Sequence, residues 1–143
     1  MVKLVPADDE TLRAKAYALR HAVFVVEQSV PAELERDEHD DDAFHVVALL
    51  GDDCVGTGRL VRQEGGVGRV GRMAVAGRSR RRGVGERVLA ALEQKAKEAG
   101  LTTVELHAQL YVEAFYLRHG YARVGEPFVE AGIDHVVMRK PLV

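Results

Sequence analysis

Residues 69–107 read RVGRMAVAGRSRRRGVGERVLAALEQKAKEAGLTTVELH. Arg69 to Val75 is a short apolar run that meets Gly77 almost at once, which predicts a strand. From Gly83 to Ala99 the apolar residues recur at helical spacing. Val84, Val88 and Leu92 align with Leu89 and Ala96, Glu93 and Lys97 stand at i,i+4, and Gly100 supplies the stop. Thr102 to His107 is a strand again. Strand, helix, strand is a βαβ crossover, right-handed by the chirality of twisted sheets, so the fold class is α/β.

Upstream, Val2 to Val5 is a first short strand. Asp8 or Asp9 caps a helix in which Leu12, Ala16, Leu19 and Val23 share a face, and which fades near Glu27 before Pro31. Phe44 to Leu50 and Cys54 to Arg62 read as a hairpin about Gly51-Asp52-Asp53. Glu64-Gly65-Gly66 then turns the chain into Arg69 to Val75, giving a three-strand antiparallel meander. Downstream, a short helix from Leu110 to His119 stops at Gly120, and Tyr121 to Val129 pairs with Asp134 to Arg139. The sheet is therefore mixed.

The chain has 143 residues, 47% hydrophobic and 29% charged, with net charge -2, which fits one globular domain spanning 1–143. One cysteine, Cys54, excludes an intrachain disulfide and a cysteine-built zinc site. No secretory h-region opens the chain and no apolar run approaches the ~20 residues of a membrane span, so a cytoplasmic protein without a membrane partner is expected. The six histidines show no metal-ligand spacing, and no metal is expected. Charge is clustered: seven acids stand between Glu33 and Asp42, and seven arginines between Arg69 and Arg87. The acids are either a solvated loop or an attractor for a cationic amine. The arginines lack the interleaved aromatics of a nucleic-acid surface, so no nucleic-acid partner is expected.

Two glycine patterns need separating. Gly66-Val67-Gly68-Arg69-Val70-Gly71 has the letters of a dinucleotide fingerprint, yet it leads into a strand where that fingerprint must open a helix. Arg80-Arg81-Arg82-Gly83-Val84-Gly85 does open a helix. There the unpaired amides and the dipole attract an oxygen-rich anion, the glycines admit it to the backbone, and guanidinium groups add charge-assisted hydrogen bonds. Further on, Phe115 and Tyr116 point about a hundred degrees apart, so one packs inward and the other is available to a cleft.

Arg80-x-x-Gly83-x-Gly85 between strand and helix, with Phe115-Tyr116-x-x-x-Gly120-Tyr121 downstream, resembles the GNAT superfamily of acyl-CoA N-acetyltransferases. Arg20 to Pro31, Glu33-x-Glu35-x-Asp37, His45, Leu106-His107-Ala108-Gln109 and Glu126 to His135 extend the likeness to its ElaA/YjcF-like branch, over roughly Leu19 to Arg139. The resemblance implies a mostly antiparallel sheet flanked by helices, in which the parallel strands around Met73 and Leu106 splay apart. The pantetheine arm of acetyl-CoA, the cosubstrate, would lie in that gap against Met73, Ala74 and Val75, with Gln109 nearby where the family often carries Asn. The pyrophosphate would sit on amides of Arg81, Arg82, Gly83, Val84 and Gly85, with Arg80 close by. Tyr116 matches the family's general acid. The acceptor would be an amine on a small molecule or peptide.

Amine attack on a thioester requires a base. Glu27, His45, His107, Glu130 and His135 are candidates, and His107 stands first because it ends a strand beside the implied gap. A CoA-binding regulatory module without turnover is the alternative. Cys54 is expected to be a small buried hydrophobe.

Overall fold

A computed structural model describes residues 1–143. Seven strands form one sheet: β1 (Lys3–Pro6), β2 (Phe44–Leu50), β3 (Asp53–Arg62), β4 (Val67–Val75), β5 (Thr103–Gln109), β6 (Ala122–Glu130) and β7 (Ile133–Pro141). Their spatial order is β1-β2-β3-β4-β5-β7-β6, and every neighbouring pair is antiparallel except β4 and β5. Helix α1 (Glu10–Arg20) covers one face, and α3 (Val84–Glu98) the other. Two short helices, α2 (Ala32–Glu35) and α4 (Glu113–Arg118), sit in the connections.

Most of this follows from the patterns in the chain. Val84, Val88, Leu89, Leu92 and Ala96 are buried along α3, and Leu19 and Val23 bury the face of the first helix. Asp9 is the cap of α1, accepting the Leu12 N–H at 2.7 Å. The sequence Gly66 to Gly71 lies mainly in β4, as its strand character requires. Gly56 and Gly58 on β3 have a packing reason. A Cβ at these positions would come within 2.6 Å of Val84 Cγ1 and 2.8 Å of Leu92 Cδ1, so their bareness lets α3 lie close on the sheet.

Several features differ from the sequence reading. The first helix does not fade; it widens into a π-helical segment, His21–Glu27, closed by the Gln28 N–H on Val23 O at 3.1 Å. The helix expected at Leu110 begins as a 3₁₀ turn, and α4 proper is only six residues. Glu93 forms no pair with Lys97. It turns towards the end of the sheet, accepting the Tyr121 hydroxyl at 2.6 Å and Lys140 Nζ at 3.1 Å. Burial and then the Glu93 carboxylate push the Tyr121 hydroxyl far up, so it remains the donor.

The largest difference is in the acidic segment, where Glu35, Asp37 and Asp40 are engaged by arginines while Glu33, Glu38, Asp41 and Asp42 stay exposed. Glu35 and Asp40 are buried, and with Asp37 they hold three arginines from three elements. Arg20 of α1 binds Glu35 Oε2 at 2.8 Å and Asp40 Oδ1 at 2.7 Å. Arg59 of β3 binds Asp37 Oδ1 at 2.7 Å and Asp40 Oδ1 at 2.8 Å. Arg72 of β4 donates to Glu35 O at 2.9 Å and to Asp37 Oδ2 at 3.2 Å. Three cations meet three anions, so the cluster is neutral, and no buried side-chain polar atom is left without a partner. A buried ion pair gives little net stability against an apolar replacement, but losing one partner strands the other.

Arg72 also marks a β-bulge. Thr57 pairs with Ala74 but Arg59 with Gly71, so β4 carries one extra residue, and Arg72 takes φ +51. A left-handed arginine is strained, and its three hydrogen bonds to the acidic segment hold it there.

Burial alone would raise the Asp40 carboxyl, but hydrogen bonds from Arg20, the Asp37 N–H and Arg59 outweigh it and hold the group far below the usual carboxylate range. The Arg59 hydrogen bond lowers Asp37 in the same way. Groups depressed in the folded state stabilise it above their unfolded value and lose that contribution as pH falls below it, from about pH 4 downward. Urea unfolding is therefore expected to show stability falling below about pH 4. Asp40→Asn is expected to lose ~3 kcal/mol at pH 7 and to show a shallower acid decline.

Candidate functional site

Strands β4 and β5 pair only from Val67↔Thr103 to Val70↔Leu106. Beyond that, β4 stays bound to β3 as far as Val75, and β5 to β7 as far as Gln109. Each strand is held by its outer neighbour while the bulge at Arg72 bends β4 away. A wedge-shaped gap opens between Gly71–Val75 and His107–Gln109, with backbone edges that have no strand partner across it. Met73, Ala74 and Val75 lie on one side and Gln109 on the other.

At the end of β4 the chain turns through Gly77–Ser79 into α3. Arg81 and Gly83 take left-handed backbone angles, φ +65 and φ +79. The N–H groups of Arg81, Arg82, Gly83, Val84 and Gly85 make no backbone hydrogen bond. Five free donors in succession at the positive end of a fifteen-residue helix suit an anion with several oxygens. A Cβ at Gly83 would meet no protein atom within 4 Å, so the space above it is open. Gly85 faces inward, where a Cβ would stand 3.6 Å from Phe115 Cζ and 3.8 Å from Val75 Cγ2. Arg81 and Arg82 are exposed. Arg80 is already engaged: its Nε donates to Val75 O at 2.9 Å and its Nη2 to Glu27 Oε1 at 2.7 Å. It clips the end of β4 to the π-helical segment.

The hydroxyl of Tyr116 on α4 donates to Met73 Sδ at 3.7 Å, across the splayed end of the sheet. Phe115 packs edge-on against Tyr116, with ring centroids 5.1 Å apart, and Tyr121 stands 5.8 Å away on its other side. Burial, with a smaller contribution from Tyr111, pushes the Tyr116 hydroxyl up to about 12. It is thus a protonated donor at neutral pH. Met73 is on the α3 side of the sheet, beside Val88 and Leu92.

His107 is on the opposite side. It is the first β5 residue past the last β4 partner, and its side chain alternates with buried Leu106. Its Nδ1 lies 2.9 Å from Glu130 Oε1 and 2.8 Å from Arg69 Nη2. Gln109, two residues on, donates to Gln28 Oε1 at 2.8 Å, and Gln28 reaches the Tyr111 hydroxyl at 3.2 Å. This amide bridge ties the π-helical segment to the open end of β5.

The other base candidates are differently placed. His45 is buried among the ionic cluster with Nε2 on Asp40 O at 2.9 Å, and burial lowers its basicity. Glu27 is paired with Arg80. His135 holds Ile133 O at 2.7 Å, and its Nε2 lies 3.9 Å from Glu130 Oε2. Cys54 is half-buried, its thiol on Gly56 O and pushed up by burial, so it offers no ready thiolate. Arg72, Gln28 and Arg69 were not singled out from sequence. Each acts through a partner more than thirty residues away, and no local pattern reports that.

The acetyltransferase (GNAT) domain family matches residues 7–142. The uncharacterized N-acetyltransferase YjcF of Bacillus subtilis is 39% identical over 140 residues, covering 97% of this chain and 99% of its own. A crystal structure from Lactobacillus plantarum superposes with a TM-score of 0.93 at 36% identity, over 99% of both chains. Escherichia coli ElaA follows at 0.87 and 25%, over 98% of this chain and 99% of its own. A structure of aminoglycoside 6'-N-acetyltransferase complexed with coenzyme A, at 17% identity and a TM-score of 0.77 over 100% and 97%, shares the fold alone.

Proposed function

Because this chain belongs to the GNAT acetyltransferase family, on its ElaA/YjcF-like branch, we propose that it transfers an acetyl group from acetyl-CoA to a primary amine in a ternary complex. The observation that carries this reading is the run of free amides from Arg81 to Gly85 at the mouth of the β4–β5 gap. Those donors, with the exposed Arg81 and Arg82 side chains, suit the pyrophosphate. The unpaired edges at Met73, Ala74 and Val75 suit the amide-bearing pantetheine arm, with Gln109 opposite. Acetyl-CoA supplies an activated thioester. As a GNAT domain that no helix of the protein is long and apolar enough to anchor across a membrane, the chain is read as one cytoplasmic catalytic domain over 1–143.

Tyr116 and His107 divide the proton transfers between the two sides of the gap. His107 Nε2 takes a proton from the alkylammonium, and the neutral amine attacks the thioester carbonyl to form the N–C bond. The C–S bond breaks, and Tyr116 gives its phenolic proton to the departing sulfur. The second proton of the acylated nitrogen returns to the phenolate through water, and the imidazolium releases its own to solvent. An alkylammonium near pKa ~10 must lose a proton before it attacks, so the base is needed at neutral pH. A backbone N–H near Val75 stabilises the charge growing on the thioester oxygen.

Two outcomes are expected. Gly83→Val puts a branched side chain into the open space above the amides, and calorimetry should show acetyl-CoA affinity falling at least ~10-fold. Gly100→Val is its control. Gly100 has φ +79 and equally empty surroundings at the other end of α3, so it carries similar backbone strain, ~1–2 kcal/mol, and should leave the affinity unchanged. Equal loss in both variants would point to strain and remove the loop from the binding site.

Tyr116→Phe keeps the ring against Phe115 and Tyr121 and removes only the acid. It is expected to bind acetyl-CoA as the parent does and to turn over ~10²–10⁴-fold more slowly near neutral pH. The deficit should shrink at alkaline pH, where a thiolate of pKa ~8.5 leaves unaided. A pH–rate series of CoA release with an amine panel checks both. Equal neutral rates, with chemistry rate-limiting, would exclude the acid role.

A further inference from the structure

The α1-side wall of the gap contains a linked set of side chains from β4, β5, β6 and β7. Gly71 and His107 are the first residues past the last β4–β5 pair, one on each strand. A Cβ at Gly71 would meet no protein atom within 4 Å, so the space over this part of β4 is open. His107 borders it. Around the imidazole stand Arg69 from β4, Glu130 and Phe128 from β6, and His135 from β7. Further down the same face, Glu105 of β5 pairs with Arg139 of β7 at 3.4 Å. His107 Nε2 makes no hydrogen bond within the protein, and its side chain is 21% exposed. Phe128 meets the His107 ring edge-on at 5.2 Å and stacks on His135 at 6.0 Å, bracing both rings.

Arg69 and Glu130 make opposite demands on one atom. Arg69 Nη2 at 2.8 Å can donate to Nδ1 only if that nitrogen is bare. Glu130 Oε1 at 2.9 Å can accept from it only if it carries the proton. A carboxylate facing a bare nitrogen lone pair at this distance is repulsive and cannot be relieved by turning the acceptor. The charge-assisted Nδ1–H···O bond therefore prevails, and the half-exposed guanidinium yields. The His107 hydrogen bond lowers the Glu130 carboxyl, consistent with an ionised acceptor.

We propose that Glu130 is a positioning residue: it fixes the proton of His107 on Nδ1, so that the Nε2 lone pair faces the open space over Gly71, where the acceptor amine enters. The proposal rests on the acetyl-transfer reading for its catalytic half, while its geometric half concerns the resting protein alone. His135 Nε2 stands 3.9 Å from the second carboxylate oxygen, and Phe128 lies edge-on to the imidazole at 5.2 Å. The amine proton passes to Nε2, and Glu130 stabilises the resulting imidazolium without taking the proton itself.

The two halves are tested separately. In ¹⁵N-labelled parent protein, with imidazole shifts read where His107 is neutral, Nδ1 should be the protonated nitrogen. In Glu130→Ala the Nε2–H form should become dominant. A parent with Nε2 protonated would overturn the geometry. For the catalytic half, Glu130→Gln keeps a carbonyl acceptor for Nδ1–H, whereas Glu130→Ala removes it. Glu130→Gln should hold the parent tautomer and retain most of kcat, and Glu130→Ala should lose kcat at least ~10-fold, both with acetyl-CoA affinity unchanged. A merely structural role would not tie kcat to the tautomer, and a Glu130→Ala variant with the parent's kcat would overturn the positioning role. A parent that acetylates no amine in the panel would overturn the reaction reading and the catalytic half with it. The tautomer measurement still decides the geometric half.

Discussion

The bulge at Arg72 is the constraint on which the rest of the molecule depends. A continuous, straight β4 would pair with β5 along its length and leave no gap. One extra residue, held at φ +51 by three hydrogen bonds from Arg72 to Glu35 O, Leu34 O and Asp37 Oδ2, turns the strand aside after Val70. The strain is supported by a neutral cluster that also engages Arg20 and Arg59. The acidic segment therefore acts at a distance on the site. Its carboxylates touch no part of the gap's far side, yet they fix the bend that opens it.

The gap has two sides with different chemistry. On the α3 side stand a protonated phenol, an apolar floor around Met73, and a helix start whose amides are free. On the α1 side stand an imidazole, a carboxylate and an unobstructed surface at Gly71. On the proposed reading, a thioester reaching through the opening would meet a proton donor from one side and an amine from the other, and the two substrates would approach without crossing. Arg80 and Gln28 bind the π-helical segment to the two diverging strands, one at Val75 and one at Gln109. The opening is thus framed rather than merely left vacant.

Much of this architecture was legible in the chain. The 3.6-residue period of Val84, Val88, Leu92 and Ala96 reports a buried helical face directly, and the glycines preceding that helix mark the turn whose amides are left free. Resemblance then pointed to Tyr116 and to the splaying of the parallel pair. What could not be read depends on partners distant in sequence. Arg72 stands in an ordinary strand pattern, and nothing near it announces a left-handed angle. Glu35 and Asp40 look like solvated acids until Arg20 and Arg59 arrive from other elements. Helical spacing permits Glu93 to pair with Lys97, whereas Tyr121 and Lys140 offer a better-enclosed site. Arg80 also bonds Glu27, fifty-three residues away, and no local pattern links the two.

The central claim is that the gap opened by the bulge receives the acyl-CoA. Titration of ¹⁵N-labelled protein with CoA, followed by amide shifts residue by residue, tests it most directly. The account predicts the largest changes at Arg81 to Gly85 and along Gly71 to Val75, with Gln109 responding from the facing strand. Shifts confined to exposed arginine side chains and the loop surface, leaving Gly71 to Val75 and Gln109 unmoved, would contradict it.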